Sequence, residues 1–194
     1  MYIGPMVMSM EEALRTLEVV GTKMGQLDLF MQVNGQKQGP IEGESVREFS
    51  NGKPHHHAIL GYYLAAGSPT DSASGQAAGR RRYSAMRVVR NSDSSTSPLL
   101  TAFSTNEGLT VFLDSYRAGG EDSKETSPVI HIELTEARVR SFTLMSGGAL
   151  PNTGGVEIIE FAFREIRMES RPQTIKGELG AVKTFQDSLM AGKK

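Results

Sequence analysis

The sequence predicts a mainly β protein, folded as an antiparallel barrel or a sandwich of two sheets with one short central helix. Several segments alternate apolar and polar residues, which is the period of a strand with one buried face. Glycine-rich turns separate these segments, and the clearest helix signal lies between them. A chain of 194 residues fits a single domain of this class and is long enough to bury a substantial core.

The first half of the chain is predicted to contain a short helix and three strands. Ser9 and Glu12 form the capping box of an N-terminal helix over residues 10–20, which ends at Gly21. The strands are predicted over residues 27–33, 59–64 and 82–89. Between the first two, residues 34–57 are rich in glycine, proline, serine and charge, which is typical of a long loop or a loose hairpin.

The central helix is predicted to begin at Ser97. Its hydroxyl suits the cap position, and Pro98 suits the first turn. Leu99 and Phe103 lie four residues apart and therefore share one face, and residues 106–108 close the helix.

Three longer strands are predicted after this helix, over residues 109–117, 129–145 and 156–168. Two sets of alternating apolar residues indicate their inward faces: Ile130, Ile132 and Leu134, and then Ile159, Phe161 and Phe163. Strands of this regularity favour an antiparallel barrel or sandwich.

The composition excludes several classes of function. Charged residues make up 22% of the chain and the net charge is −1, so neither nucleic acid nor an anionic membrane is expected as a partner. The chain has no cysteine, which excludes disulfides, thiolate metal sites and a cysteine nucleophile. No segment approaches the roughly 20 apolar residues of a membrane span. The apolar start lacks the basic residue of a cleavable secretory signal, so any export is expected to use another route.

The sequence lacks the common catalytic and cofactor motifs. It has no G-x-S-x-G elbow, no P-loop and no G-x-G-x-x-G after a strand, so we predict a non-enzyme without a cofactor. His55, His56 and His57 suggest a metal site. However, neighbouring side chains on an extended loop point in alternate directions, so incidental metal affinity is favoured and no metal ligand is predicted. The three arginines at 80–82 resemble a phosphate patch, but a solvated strand start or an intersubunit ion-pair donor is favoured.

Five segments follow one another in an order typical of one known family. They are the strand 27–33 (LDLFMQV) with the turn 41–45 (IEGES), the helix start 93–100 (DSSTSPLL), the strand and turn 113–120 (LDSYRAGG), the strand 132–139 (IELTEARV) and the closing strand 156–168. Each segment is common alone. Together, over about residues 27–170, they resemble the haemolysin-coregulated proteins (Hcp) of type VI secretion systems.

The resemblance implies that the protein acts as a structural subunit of a larger assembly. It implies an Hcp-like β-barrel domain over residues 27–171, with an N-terminal extension over 1–26 and a C-terminal tail over 172–194. Such a protein forms homohexameric rings that stack into a tube inside a contractile sheath, together with a spike protein. The tube assembles in the cytoplasm, is secreted without a cleavable signal, and carries small effector proteins in its lumen.

Two departures from the family matter for the site. Residues 1–26 precede the usual start, and are either a real extension or the product of an upstream start codon, with Met24 as the alternative start. The tryptophan-bearing second strand of the family appears here as 60–64 (LGYYL), whose tyrosines keep large amphipathic rings. Tyr63 matches a position where the family has a lumen-facing residue that contacts cargo. The alternative is an ordinary surface tyrosine.

Two rival interpretations stay open at this point. A phage-like tail tube protein of another contractile particle shares the architecture and the logic of assembly. A more distant alternative is a metal-dependent enzyme built on a β-barrel, which would use the histidines at 55–57.

Overall fold

The computed structural model describes residues 15, 27–45, 57–69, 74, 76, 79–117, 128–147, 154–172 and 180–189. Arg15 is helical, and the rest of the predicted N-terminal helix lies outside the described residues. The other elements, in chain order, are β1 (Leu27–Gly35), β2 (Gly39–Ile41), β3 (His57–Ala58), β4 (Gly61–Tyr63), β5 (Ala66–Gly67), β6 (Arg82–Tyr83), β7 (Met86–Asn91), α1 (Thr96–Ser104), β8 (Leu109–Arg117), β9 (Ile130–Met145), β10 (Val156–Ala162), β11 (Glu165–Ser170) and β12 (Lys183–Ser188).

The long strand β9 belongs to both sheets of the structure. Its first half pairs antiparallel with β8 and β11, and its second half pairs antiparallel with β10. Between the two halves, Glu136 has a φ of 47°, and the register with β8 shifts nearby, as at a β-bulge. The first sheet has the order β2–β1–β8–β9, with β3 beside β1 and with β11 and β12 beyond β9. The second sheet has the order β9–β10–β7–β4.

Two antiparallel sheets with a central helix confirm the predicted fold class. The structure is a sandwich and not a closed barrel, because no described strand joins β4 to β12. The main core lies between the sheets, and the predicted inward residues Ile132, Leu134 and Phe161 are almost completely buried in it. A second cluster lies on the other face of β10 and comprises Val89, Met145, Val156 and Ile158, with Leu60 packed against it.

The chain crosses between the sheets in the middle of two predicted strands. The N–H of Ile59 donates to Leu29 in the first sheet (3.0 Å), whereas the N–H of Leu60 donates to Val89 in the second (2.7 Å). The predicted strand 59–64 is therefore wrong as one element, because β3 and β4 lie in different sheets. In the same way, the predicted strand 156–168 divides at Phe163 into β10 of the second sheet and β11 of the first. The predicted strand 82–89 divides into β6, which pairs with β5 as a separate two-stranded ribbon, and β7.

The N-cap of the central helix lies two residues before the predicted Ser97. Ser95 is the N-cap, and Pro98 is the third helical residue, where its missing N–H still costs no helical hydrogen bond. The buried residues are Leu99 and Ala102. Leu99 and Phe103 were predicted to share one face, but only Leu99 is buried, whereas Phe103 is 45% exposed. The small Ala102 instead lets the helix pack closely against β9.

The segment predicted as a C-terminal tail contains a strand that the sequence did not indicate. β12 pairs antiparallel with β11 over its whole length, from Lys183 opposite Ser170 to Ser188 opposite Glu165. Its residues are mostly exposed, so the alternation that would reveal a half-buried strand is weak.

Candidate functional site

A buried polar cluster connects the two sheets and the helix. Arg90 on β7 is fully buried, and its Nε donates to Oε2 of the fully buried Glu157 on β10 at 2.7 Å. Its Nη1 lies 2.9 Å from Nδ1 of His57 on β3 and donates to Oγ of Ser95 at 2.7 Å. The hydroxyl of Thr96 donates to the other oxygen of Glu157. The buried charges are therefore paired and hydrogen-bonded, as the interior requires.

The side chain of Asp93 completes this set of residues, which we call the Arg90 cluster. Oδ1 of Asp93 accepts from the Ser95 hydroxyl at 2.5 Å and lies 3.1 Å from Nη1 of Arg90. Burial by itself would raise the pKa of the Asp93 carboxyl. The hydrogen bonds from Ser95 and the Arg90 guanidinium outweigh it, so this pKa lies below its ordinary value.

The contacts of His57 fix its tautomer. A guanidinium can only donate, so Nδ1 of His57 accepts from Arg90. Nε2 lies 2.9 Å from the backbone carbonyl of Ile41 and is therefore assigned the proton. His57 thus ties β3 to the end of β2, inside the first sheet.

The turn after β2, residues 42–45, packs directly against the Arg90 cluster. The N–H of Ser94 donates to Oε1 of Glu44 at 2.9 Å, and the N–H of Glu44 points to Oδ2 of Asp93 at 3.4 Å. A Cβ on Gly43 would lie only 2.6 Å from Nδ1 of His57, so this position accepts glycine alone without a shift of buried atoms. The polar cluster therefore fixes the turn at residues 42–45.

Ser95, His57 and Asp93 have the composition of a nucleophilic triad but not its geometry. Ser95 Oγ lies 3.1 Å from Nδ1 of His57, yet Ser95 is fully buried and its proton is directed to Asp93. Nδ1 of His57 is already occupied by the Arg90 guanidinium, so it is not placed to accept the proton of the serine. We conclude that these groups support the fold.

The histidines at 55–57 do not form one metal site around His57. Both ring nitrogens of His57 contact other groups inside the protein, so a metal ion there would displace Arg90 or Ile41. His55 and His56 lie outside the described residues. Within the described part of the chain, no three His, Asp or Glu side chains are grouped as metal ligands.

The arginines at 80–82 are exposed at the start of β6. Arg81 pairs with Asp187 of β12 within the same chain, with 3.4 Å between Nε and Oδ2. The Tyr83 hydroxyl donates to the same carboxylate at 2.7 Å, and burial together with Asp187 raises the pKa of Tyr83. These contacts fasten the β5–β6 ribbon to β12. An intersubunit role for Arg80 and Arg82 stays a prediction.

Tyr62 and Tyr63 on β4 point to opposite sides, as neighbouring residues of a strand do. Tyr62 packs against the main core, and its hydroxyl lies 3.1 Å from Oγ of Ser115. Tyr63 is 56% exposed. Its side chain is therefore available for contact with another molecule, while its assignment to a tube lumen stays a prediction.

Two further buried carboxylates hold neighbouring segments together. Glu107, which is 2% exposed, accepts from the N–H groups of Lys37 (2.6 Å) and Gln38 (2.8 Å) and from the Gln38 amide (2.8 Å). Burial alone would raise the pKa of Glu107, but these hydrogen bonds outweigh it and lower this pKa. On β8, Oδ1 of Asp114 lies 2.6 Å from Nδ1 of His131 and raises the pKa of that histidine.

The sequence analysis missed the Arg90 cluster, although a signal for it was present. Glu157 has the same parity along its strand as Ile159 and Phe161, and Arg90 has the same parity as Val88. A charged residue on the inward side of each of two strands indicates a buried ion pair, since an unpaired buried charge is very costly. The described residues thus define a β-sandwich protein whose interior charges serve the fold.

Comparison with known proteins identifies the family. The sequence profile of the family described as "Type VI secretion system effector, Hcp" matches residues 30–169. No curated protein matches the chain by sequence. The chain therefore belongs to the Hcp family of type VI secretion tube proteins, which are structural and secreted.

Solved structures of Hcp proteins share the fold. One described as "Structure of a type six secretion system protein" has a TM-score of 0.68 and 22% identity, and the match covers 83% of this chain and 96% of that chain. A second, "Crystal structure of Hcp protein", has a TM-score of 0.65 and 19% identity and covers 87% and 100%. The secreted protein Hcp3 from Pseudomonas aeruginosa has a TM-score of 0.57 and 17% identity and covers 84% and 99%.

Among the described residues, the structure contains no helix long and apolar enough to cross a bilayer.

Proposed function

We propose that this chain is a subunit of the inner tube of a type VI secretion system. It assembles as hexameric rings that stack inside the contractile sheath behind a spike protein, and sheath contraction expels them. The subunit assembles in the cytoplasm and leaves the cell without a cleaved signal, and it acts without catalysis. The observation that carries the proposal is the family match over residues 30–169, which covers most of the chain.

Physical features of the subunit support repeated assembly. The net charge is −1, so many copies can stack without strong mutual repulsion. A ring needs two different, complementary surfaces on each subunit, and exposed strand edges provide such surfaces. Among the described strands, β4 and β12 each lie at an edge of a sheet. Arg90 and Glu157 are both fully buried and form an ion pair with each other. This pairing explains their burial without a catalytic role.

The experiment that tests the proposal is the native mass of the purified protein, measured by light scattering, with negative-stain images of the same fraction. We expect a particle of six times the chain mass of 21.1 kDa, and open rings in the images. A monomer at every concentration would refute ring assembly.

We also propose that Tyr63 faces the lumen and contacts small effectors. Its 56% exposure on β4 supports this role. In cells that co-express an effector of the same system, Tyr63→Ala should keep the ring but lose the co-purifying effector. Leu144→Ala is the matched control, because Leu144 is also an exposed apolar residue, at 51%. Equal effector recovery with both variants would remove Tyr63 from the binding surface.

A further inference from the structure

The outer face of the first sheet, which points away from the main core, contains a small buried patch. Met31 and Leu113 are cross-strand neighbours in the main core, so the adjacent Phe30 and Asp114 lie on the opposite face, together with Tyr116. Phe30 and Tyr116 are each only 6% exposed, and Asp114 is 8% exposed. We call these three residues the Phe30 patch. Its two rings contact edge to face, with 6.0 Å between their centroids, and form a cluster separate from the main core.

This burial requires a covering segment above the sheet. Neighbouring side chains on one face of a sheet shield each other's sides, but their tips stay accessible unless another layer packs on them. Phe112 gives the comparison within the same face: it is stacked on the ring of His131, and yet it is only partly buried. Ala58, directly opposite Phe30 on β3, is exposed. The cover is therefore local, and it lies over β1 and β8 near the start of β1.

The segment that enters the sheet at this end is the N-terminal one. Tyr116 lies opposite Asp28, the second residue of β1, so the preceding chain leaves the sheet beside the patch. Residues 21–26 connect β1 to the predicted helix over residues 10–20 and can span about 20 Å. Phe30 is only about 10 Å along the strand from its first residue, and a helix of this length extends about 16 Å. The predicted helix can therefore reach back over the patch.

The predicted helix has the apolar face that would fit the patch. Met10, Leu14 and Leu17 fall on one side of it. Arg15 is one residue from Leu14 and two from Leu17, which places it about 100° and 200° around the helix from them. In the structure Arg15 is helical and its side chain is exposed. A polar side in solvent with an apolar stripe opposite is the pattern of a helix that lies on an apolar surface.

Three other segments near the patch fit it less well. Residues 118–127 follow β8, but Ala118 is their one apolar residue. Residues 173–179 follow β11, which is separated from β1 by β8 and β9 and therefore lies about 14 Å from it. Residues 46–56 lead into β3, where the exposed Ala58 shows that the cover does not extend that far.

We infer that residues 10–20 form a helix that packs with Met10, Leu14 and Leu17 on the Phe30 patch of the same chain. The segment is then a folded part of the subunit, and it occupies this part of the outer face of the first sheet. A chain translated from Met24 would lack the helix and would leave the patch uncovered. The inference does not depend on ring assembly and adds a position for the N-terminal extension.

The first test compares Leu17→Asp with Val19→Asp in the full-length chain. Both changes put a carboxylate at an apolar position of one helix, but Val19 lies about 200° around the helix from Leu17 and therefore faces solvent. Because a buried leucine is replaced by a charge, Leu17→Asp should lower the urea midpoint by about 1 M. Val19→Asp should change it by less than about 0.3 M. Circular dichroism follows unfolding at one concentration below ring assembly.

The second test is disulfide trapping in a chain that has no natural cysteine. Tyr116→Cys is combined with Leu14→Cys or with Leu17→Cys, and with Val19→Cys as the control. A disulfide needs about 4–7 Å between its α-carbons. Mild oxidation should therefore trap at least one of the first two pairs as a compact monomer band on a non-reducing gel, whereas the Val19→Cys pair should stay reduced.

The outcomes decide the inference separately from the proposed function. If Leu17→Asp and Val19→Asp lower the midpoint equally, or if none of the cysteine pairs cross-links, the inference is wrong. If Ile175→Asp lowers the midpoint and Leu17→Asp does not, the cover is the segment 173–179 and the inference is again wrong. Disulfides that join two chains would assign the helix to a second copy and also overturn it. Because every measurement is made on the monomer, a wild type that never forms rings would refute the proposed function and leave these results unchanged.

Discussion

Replacing Arg90 with methionine should destabilise the fold strongly, because it leaves a carboxylate buried without its cation. Glu157 is fully buried, and without Arg90 its side chain keeps the Thr96 hydroxyl as its one partner among the described side chains. Ser95 and Asp93 lose the same donor. Breaking a buried ion pair in this way costs about 3–5 kcal/mol, which is a large part of the roughly 5–15 kcal/mol that stabilises a typical domain.

Urea unfolding followed by circular dichroism measures this effect. At an m-value of about 2 kcal/mol/M, the midpoint should fall by about 1.5–2.5 M. The double variant Arg90→Met with Glu157→Leu removes both charges, so it should lose about 1–3 kcal/mol less than the sum of the two single variants. All proteins are compared at one concentration below ring assembly, since assembly itself stabilises the folded state.

Arg87→Met is the matched control. Arg87 and Glu160 join the same two strands, β7 and β10, with 2.7 Å between Nη2 and Oε1, but their side chains are 26% and 12% exposed. A partly solvated pair of this kind contributes about 0–1 kcal/mol. If Arg90→Met lowers the free energy of unfolding by no more than Arg87→Met does, burial does not determine the strength of these ion pairs, and the prediction is refuted.

Substitutions at three further positions test two polar contacts and one backbone conformation. Glu107→Gln should cost about 1.5–3 kcal/mol at neutral pH, because it weakens charge-assisted hydrogen bonds from Lys37 and Gln38. Since the folded pKa of Glu107 is lowered, this stability is present above the ordinary value of 4.5 and is lost as the pH falls through the folded pKa, so urea midpoints of the two proteins should converge in acid. For His131 the folded pKa is raised, so stability depends on pH in the opposite direction. The bond to Asp114 stabilises the fold below the ordinary pKa of 6.5, and this stabilisation is lost as the pH rises through the folded pKa. The wild-type midpoint should therefore fall between about pH 6 and 8, and His131→Asn should flatten that fall; equal slopes would contradict the assignment. Glu136→Gly should be neutral or stabilising by about 1 kcal/mol in thermal unfolding, since glycine tolerates the positive φ of 47°, whereas Glu136→Val should destabilise.

Strands that stay in one sheet could be predicted from the sequence. Predicted strand 109–117 agrees with β8, and predicted strand 27–33 lies within β1, because each keeps one inward face along its length. The analysis failed where the chain passes from one sheet to the other, as it does between Ile59 and Leu60. Apolar residues lie on both sides of the crossing, since Ile59 belongs to the main core and Leu60 packs against the second cluster, so the local composition gives no sign of the break.

The candidate site was predictable only in part. The exposure of Tyr63 follows from simple alternation along β4. The Arg90 cluster joins groups far apart in sequence, since Arg90 lies 33 residues from His57 and 67 from Glu157. Parity along a strand shows that Arg90 and Glu157 face inward, but only the fold shows that they face each other. His57 was assigned to a loop because its two histidine neighbours and Pro54 dominate the local composition.

The fold fixes the relative position of its sheets at two separate places. At one, β9 passes through both sheets and bends at Glu136. At the other, the Arg90 cluster ties β7 and β10 of the second sheet to His57 in the first. A closed ring needs a constant angle between the two contact surfaces of each subunit, because a small error repeats at every contact and prevents closure. The Arg90 cluster joins the first sheet to the second, so in the proposed ring it would hold surfaces on the two sheets at a constant angle. Apolar packing tolerates sliding, whereas a buried cluster of ion pairs and hydrogen bonds has one arrangement that satisfies its partners. On the proposed ring assembly, Arg90→Met subunits that still fold at low temperature should therefore give irregular or open assemblies in negative-stain images.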